Sequence, residues 1–176
     1  MRLVIAALLT TSVFSQVTPN ESPAGGKWLR IAGTRVATFK LDGNTALSDG
    51  TTMKTPVMIL SCEIKDEGKS NAHPAVQALM IVTGVDMGVS SAGLPGAPPV
   101  TSVEVGADNK HWTAAFRYDE ITPFVTAENG DVKKLLEAKE LTLRFHGRDL
   151  KTRVAEFTTA GLDRSMVEQD CGLKLK

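Results

Sequence analysis

The sequence contains few of the residues on which metal sites and many exported enzymes depend. It has two cysteines, Cys62 and Cys171, and three histidines, His73, His111 and His146. Neither residue type occurs at the short spacings that are typical of zinc ligands. The sequence therefore predicts no metal site and no cofactor.

Local catalytic motifs are missing as well. There is no GxSxG elbow, no glycine-rich phosphate loop and no dinucleotide-binding fingerprint. Asp119 and Glu120 are adjacent, so in a strand their side chains point to opposite faces and cannot form a carboxylate pair. No catalytic residue is assigned on this basis. A hydrolase site built from distant residues, for example His111 with Asp119 or Glu120, is kept as an alternative.

Charge of one sign is also lacking. Lysine plus arginine number 20, aspartate plus glutamate number 20, and the two signs are interspersed. There is no basic stripe to neutralise phosphates, which argues against a nucleic-acid partner.

The N-terminus has the outline of a secretory signal peptide. A single positive charge at Arg2 precedes the apolar run Leu3 to Leu9, and small residues at the end of the segment predict cleavage between Ser15 and Gln16. The apolar run is shorter than the roughly 20 residues that span a bilayer. Residues 1–15 are therefore predicted to be removed, and the protein is expected to be periplasmic or secreted, with no membrane-spanning segment after cleavage.

Export changes the meaning of the two cysteines, because disulfides persist outside the cytosol. Cys62 and Cys171 have only one intramolecular connectivity, so a disulfide between them is predicted. Closing a loop of that length is worth on the order of 4–5 kcal/mol. Metal binding and a nucleophilic thiol are the alternatives, but neither cysteine has a CxxC spacing or a local base.

The remaining chain is expected to be mainly β. Residues 16–26 are polar and rich in proline and glycine, which predicts a flexible leader, and residues 27–176 are expected to form one domain. Short apolar runs separated by turn signals predict about eight strands. The last two are expected to form a hairpin with its turn near Arg148 and Asp149. In the run Pro56 to Ile64, alternation places Met58, Leu60 and Cys62 on one face.

Two short helices complete the predicted fold. Asp131 is expected to cap the first, whose apolar residues at helical spacing are Val132, Leu135 and Leu136. The second follows Gly161 and carries the apolar stripe Leu162, Met166, Val167 and Cys171. The predicted architecture is a β-sandwich or partly open barrel with two short helices.

A binding surface is predicted from one loop and two aromatic residues. The uncharged segment Gly88 to Pro99 is rich in glycine and proline, so it suits either a contact surface or a simple connector. Leu94 and Pro95 at its centre, with Trp112 and Tyr118, form the candidate surface. The alternative for the two aromatic residues is burial in the core, since strand aromatics usually bury.

Three segments of the C-terminal half carry a family resemblance: Arg117 to Asp119, Asp131 to Phe145, and Phe157 to Cys171. They resemble the VasI family, periplasmic proteins associated with type VI secretion. In that family a strand delivers a phenylalanine, a Gly-Leu turn follows and a helix ends in a cysteine, while an earlier cysteine follows an apolar strand, as in VMILSCEI here. The resemblance implies an accessory component rather than an enzyme and brings no catalytic residues.

These observations predict an exported, non-enzymatic protein that binds another protein of the bacterial cell envelope, with a link to secretion. The alternatives are the exported hydrolase described above and a carrier of a small ligand, whose pocket would lie in the mouth of the sandwich.

Overall fold

The structure is a computed structural model of the 176-residue chain. It describes residues 17–20, 27–33, 35–48, 50–63, 75–85, 88, 99–119, 124–126 and 129–176. The strands are β1 (Val17–Asn20), β2 (Trp28–Ala32), β3 (Val36–Asp42), β4 (Leu47–Ser48), β5 (Met53–Lys54), β6 (Val57–Glu63), β7 (Ala75–Val82), β8 (Val100–Ala107), β9 (Lys110–Asp119), β10 (Phe124–Thr126), β11 (Glu140–His146) and β12 (Thr152–Thr158), and the helices are α1 (Asn129–Glu137) and α2 (Arg164–Cys171). The predicted signal peptide, residues 1–15, lies outside the described residues.

Ten strands form one antiparallel sheet in the order β1-β2-β3-β6-β7-β10-β9-β8-β11-β12, and β4 pairs with β5 in a separate hairpin. The large sheet folds back on itself, because the chain after β3 binds the backbone of β12. The amide of Asn44 donates to the carbonyl of Glu156 at 2.7 Å, and the hydroxyl of Thr45 donates to the carbonyl of Val154 at 3.4 Å. The predicted mainly β, sandwich-like fold is confirmed, and the strand order of the described residues is open rather than closed into a ring.

One hydrophobic core lies between the two halves of the folded sheet. Its largest fully buried side chains come from both halves and include Trp28, Phe39, Leu60, Phe116, Phe145 and Phe157. The predicted alternation in β6 is confirmed, because Met58, Leu60 and Cys62 are completely buried. The residues between them are half-buried. Side chains of a strand point alternately to its two faces, so this pattern of burial assigns each residue to the inner or the outer face of the two-layer fold.

Helix α1 begins earlier than predicted. It starts at Asn129, so Asp131 lies in its first turn and is not the cap, and its carboxylate accepts from Lys134 at 3.1 Å. An acidic side chain in the first turn is favoured by the helix dipole. The same residue therefore resembles a cap in the sequence. The predicted apolar face is confirmed, with Val132, Leu135 and Leu136 buried.

Two short pieces of sheet were not predicted. Strand β1 lies in the segment for which the sequence predicted a flexible leader, and it pairs with β2 from Val17↔Ile31 to Asn20↔Trp28. Residues 21–26 of that leader lie outside the described residues. The hairpin β4–β5 has only two residues in each strand. Both pieces are short and are held by backbone pairing, so the sequence contains little alternation of apolar and polar side chains from which to predict them.

The C-terminal helix has clear ends and is held by a disulfide. The carboxylate of Asp163 accepts from the amides of Ser165 and Met166 at 3.0 and 3.1 Å, which makes it the N-cap. Gly172 ends the helix in the left-handed region, with φ of 62°, where glycine carries no steric penalty. Cys171 is bonded to Cys62, with 5.1 Å between the Cα atoms, so the predicted disulfide is confirmed. Neither helix of the described chain is long and apolar enough to cross a membrane.

Strand β2 is tied to the same end of the chain. The guanidinium of Arg30 donates to both carboxylate oxygens of Asp170, at 2.7 and 3.1 Å, and this hydrogen bonding raises the pKa of Arg30. The indole N–H of Trp28 donates to the carbonyl of Thr159 at 3.0 Å, inside the core. The chain from Thr159 to Cys171 is thus held against the first half of the domain by polar as well as covalent contacts.

Candidate binding site

Two of the four residues of the predicted binding surface, Trp112 and Tyr118, belong to the described part of the chain. Leu94 and Pro95 lie outside the described residues. Tyr118 is 4% exposed and belongs to the hydrophobic core, so the prediction that it forms part of an accessible surface is wrong. Trp112 is half-buried and packs against the edge of the core. Alternation along β9 puts both aromatic residues on the inner face, but Trp112 lies at the end of the sandwich, where the inner face opens to solvent.

Trp112 has an unusual polar environment. Its Nε1 atom is shielded from solvent and finds no hydrogen-bond acceptor among the described residues. Trp28, by contrast, is also buried but donates to a carbonyl. A buried donor without an acceptor costs roughly 1–3 kcal/mol. The fold therefore tolerates an unfavourable arrangement at Trp112, and unpaired buried groups of this kind are exceptions in native proteins.

The ring of Trp112 is in contact with helix α1. The ammonium of Lys134 lies 5.7 Å from the centre of the ring, within the range of a cation–π interaction. The same ammonium forms an exposed ion pair with Asp131. Exposed pairs of this kind contribute little, typically less than ~1 kcal/mol. Lys134 is thus placed over the aromatic surface by weak contacts.

A cleft of about 640 Å³ opens beside this ring, between the β8–β9 turn and the end of α1. Its lining residues are Ala107, Asp108, Asn109, Lys110, His111, Trp112, Lys134, Glu137 and Ala138. A volume of this size falls within the range of small-ligand and peptide-side-chain pockets. We call it the Trp112 cleft.

Asp108 fixes the β8–β9 turn, which lines one side of the Trp112 cleft. This residue has a positive φ of 50° in the turn between β8 and β9, a conformation that aspartate tolerates better than most residues. Its carboxylate accepts from the amides of Glu140 and Lys139, at 3.0 and 2.9 Å. These backbone hydrogen bonds, that of Glu140 first, lower the pKa of Asp108. The turn is therefore held against the start of β11.

His111 lies on the outer face of β9, next to Trp112 in the chain. It is paired with Gly106 across the β8–β9 ladder, and a Cβ added at Gly106 would lie 3.2 Å from the imidazole. This contact is tight, so a larger residue at position 106 would require the ring of His111 to shift by a few tenths of an ångström. A second depression, of about 400 Å³, surrounds this ring and is lined on its far side by Thr142 and Arg144. His111 and Trp112 thus form the wall between two concave surfaces.

The pairing of His111 with Asp119, one form of the catalytic alternative, is not assembled. His111 and Asp119 lie near opposite ends of β9, eight positions apart, which corresponds to about 26 Å along an extended strand. Glu120 and His73 lie outside the described residues. His146 is exposed, and its Nδ1 lies 3.3 Å from the hydroxyl of Thr152. Among the described residues, no three His, Cys, Asp or Glu side chains are grouped closely enough to hold a metal ion.

Sequence reasoning identified Trp112 but missed its surroundings. Asp108, Lys110 and Lys134 come to the same cleft from a turn and from a helix. No local motif relates them, because their proximity depends on how α1 packs over the end of the sheet. The only signal in the sequence is the pair Asp108-Asn109 between two alternating runs, which is typical of a tight hairpin.

Comparisons with protein-family models, with curated proteins and with solved structures find no match for this chain.

Proposed function

We propose that this protein is an exported, disulfide-stabilised β-sandwich that binds another protein of the cell envelope through the Trp112 cleft. Export is supported by the signal-peptide pattern of residues 1–15. The Cys62–Cys171 disulfide is compatible with an oxidising compartment. The link to secretion rests on the resemblance to the VasI family, and a secretion component recovered as partner would support it.

The observation that carries the binding proposal is the state of Trp112. A half-buried indole at the mouth of a cleft, with a shielded N–H that has no acceptor among the described residues, supplies both apolar area and an unused donor. Tryptophan is enriched among residues that dominate protein interfaces, because it combines these two properties. A partner that covers the ring and provides an acceptor removes the unfavourable burial.

The test is crosslinking of the tagged protein in its native envelope, followed by identification of the captured proteins. We compare wild type with Trp112→Ala, and with Leu150→Ala as the matched control. Leu150 is 84% exposed at the β11–β12 turn, so its truncation also removes apolar surface. It is not one of the residues that line the cleft. Both variants are first checked for a wild-type denaturation midpoint.

The proposal expects a defined partner with wild type and with Leu150→Ala, and its loss with Trp112→Ala. Recovery of the same partner with folded Trp112→Ala would remove the cleft from the interface. Absence of any defined partner with wild type would contradict the binding function itself.

A second candidate, a carrier of a small ligand, is favoured by the volume of the cleft. About 640 Å³ lies within the 300–1,000 Å³ typical of ligand pockets. Native mass spectrometry of protein isolated without denaturation distinguishes the two. A discrete added mass that disappears in Trp112→Ala supports a carrier, whereas the bare polypeptide mass argues against it.

A further inference from the structure

The acidic side chains of the Trp112 cleft already have partners within the protein. Asp108 accepts two backbone N–H groups at the start of β11. Glu137 accepts the backbone N–H of Lys176 at 2.8 Å and lies 3.7 Å from the ammonium of Lys133. The negative charge in the cleft is therefore committed to holding the fold.

The donors of the cleft are not committed in the same way. The indole N–H of Trp112 has no acceptor among the described residues. Lys110 forms no ion pair or hydrogen bond with the part of the chain that the structure describes, and it acts on Asp108 through charge alone. Trp112 and Lys110 both line the same cleft. The arrangement thus offers a ligand one buried N–H and one cation, but no uncommitted carboxylate.

We propose that the Trp112 cleft binds a carboxylate carried by an acidic segment of the partner polypeptide, an inference that rests on the proposed function. The carboxylate accepts from Nε1 of Trp112 and from the ammonium of Lys110, and the neighbouring apolar atoms of the segment cover the ring. Charged acceptors form shorter and stronger hydrogen bonds than neutral ones, so a carboxylate gains more here than an amide.

Lys134 has a definite part in this mode of binding. Its ammonium lies 5.7 Å from the centre of the ring, and Nε1 is shielded from solvent. In the proposed mode of binding, the lysine side chain turns aside as the ligand reaches the nitrogen. The side chain of Lys134 is 63% exposed, and its only described ion-pair partner is Asp131, three residues earlier on the same helix. This weak pair lets the side chain rotate at small cost and place its charge beside the incoming carboxylate.

The experiment uses the two indole signals of the ¹⁵N-labelled protein with its disulfide formed. The sequence has two tryptophans, so the spectrum contains one signal for each. Trp112→Phe assigns the signal of Trp112, and Trp28, which is 1% exposed and bonded to a carbonyl, is the internal reference. The probes are an acetylated and amidated peptide of alternating alanine and glutamate, and the same peptide with glutamine in place of glutamate.

We expect the glutamate peptide to shift the Trp112 indole signal saturably and leave the Trp28 signal unchanged. The glutamine peptide is expected to bind at least about tenfold more weakly, because it lacks the charge. Lys110→Met is expected to weaken the glutamate peptide about tenfold. Lys151→Met, at an exposed lysine in the β11–β12 turn, is the control and leaves the affinity unchanged.

Equal binding of the two peptides, or unchanged affinity in Lys110→Met, overturns the assignment of a carboxylate. No shift of the Trp112 signal with the glutamate peptide at millimolar concentration overturns it as well. Crosslinking with Trp112→Ala separates this failure from that of the proposed function, because a partner lost in that variant leaves the cleft as an interface with other chemistry.

Discussion

Removal of the Cys62–Cys171 disulfide is expected to cost several kcal/mol of stability. The bond joins residues 109 positions apart, and closing a loop of that length in the unfolded chain is worth about 4.8 kcal/mol from chain entropy. The native helix α2 retains the ion pair of Arg30 with Asp170, so it keeps a second attachment to the first half. We therefore expect Cys62→Ala/Cys171→Ala to lower the free energy of unfolding by about 3–5 kcal/mol.

Urea denaturation followed by circular dichroism measures this difference. With a slope near ~2 kcal/mol per molar urea, a loss of about 4 kcal/mol lowers the midpoint by about 2 M. The slope itself is expected to rise, because an unfolded chain without the crosslink is more expanded. Equal midpoints for oxidised and reduced wild type, with both thiols shown to be alkylated in the reduced sample, would refute the reasoning.

Three further substitutions test individual contacts. Asp170→Asn removes the charged partner of Arg30 and is expected to lower the free energy of unfolding by about 2 kcal/mol. Asp42 forms an exposed ion pair with Lys40 at 3.0 Å, so Asp42→Asn is expected to cost less than ~0.5 kcal/mol in the same urea titration; equal losses would contradict this. Asp163→Ala removes the N-cap of α2 and is expected to cost about 1 kcal/mol, and an unchanged midpoint would show that the cap contributes nothing. Asp149 is paired with Arg153, which lowers the pKa of Asp149 to about 2. The contribution of this pair to stability is therefore present above pH ~4 and is lost as the pH falls towards 2. The midpoint difference between wild type and Asp149→Asn is therefore expected to shrink over that window, and a constant difference would exclude this linkage.

The parts of the fold that could be predicted are those in which side chains report directly on burial. Strand β6 alternates apolar residues over seven positions, so its inner face could be assigned from the sequence. The disulfide followed from the number of cysteines and the predicted signal peptide. Helix α1 was placed by the spacing of its apolar residues, but its first residue was not, because an acidic side chain is favourable at several positions of the first turn.

The parts that could not be predicted depend on contacts between distant residues. Arg30 meets Asp170 across 140 positions, and Lys134 meets Trp112 because α1 crosses the end of the sheet. Tyr118 and Trp112 have the same parity in β9, so alternation alone places both on one face. Their different exposure depends on where the sandwich ends, because the core covers Tyr118 and Trp112 lies at the open end.

The contacts that unite β2 and β6 with the C-terminal helix also determine when the domain can fold. Trp28, Arg30 and Cys62 each meet a partner more than a hundred residues later, between Thr159 and Cys171. The first half therefore cannot complete its core until nearly all of the chain is present. Folds dominated by such distant contacts form slowly. A chain that remains open while it is synthesised is also compatible with the proposed export, because it can enter an export channel before it closes.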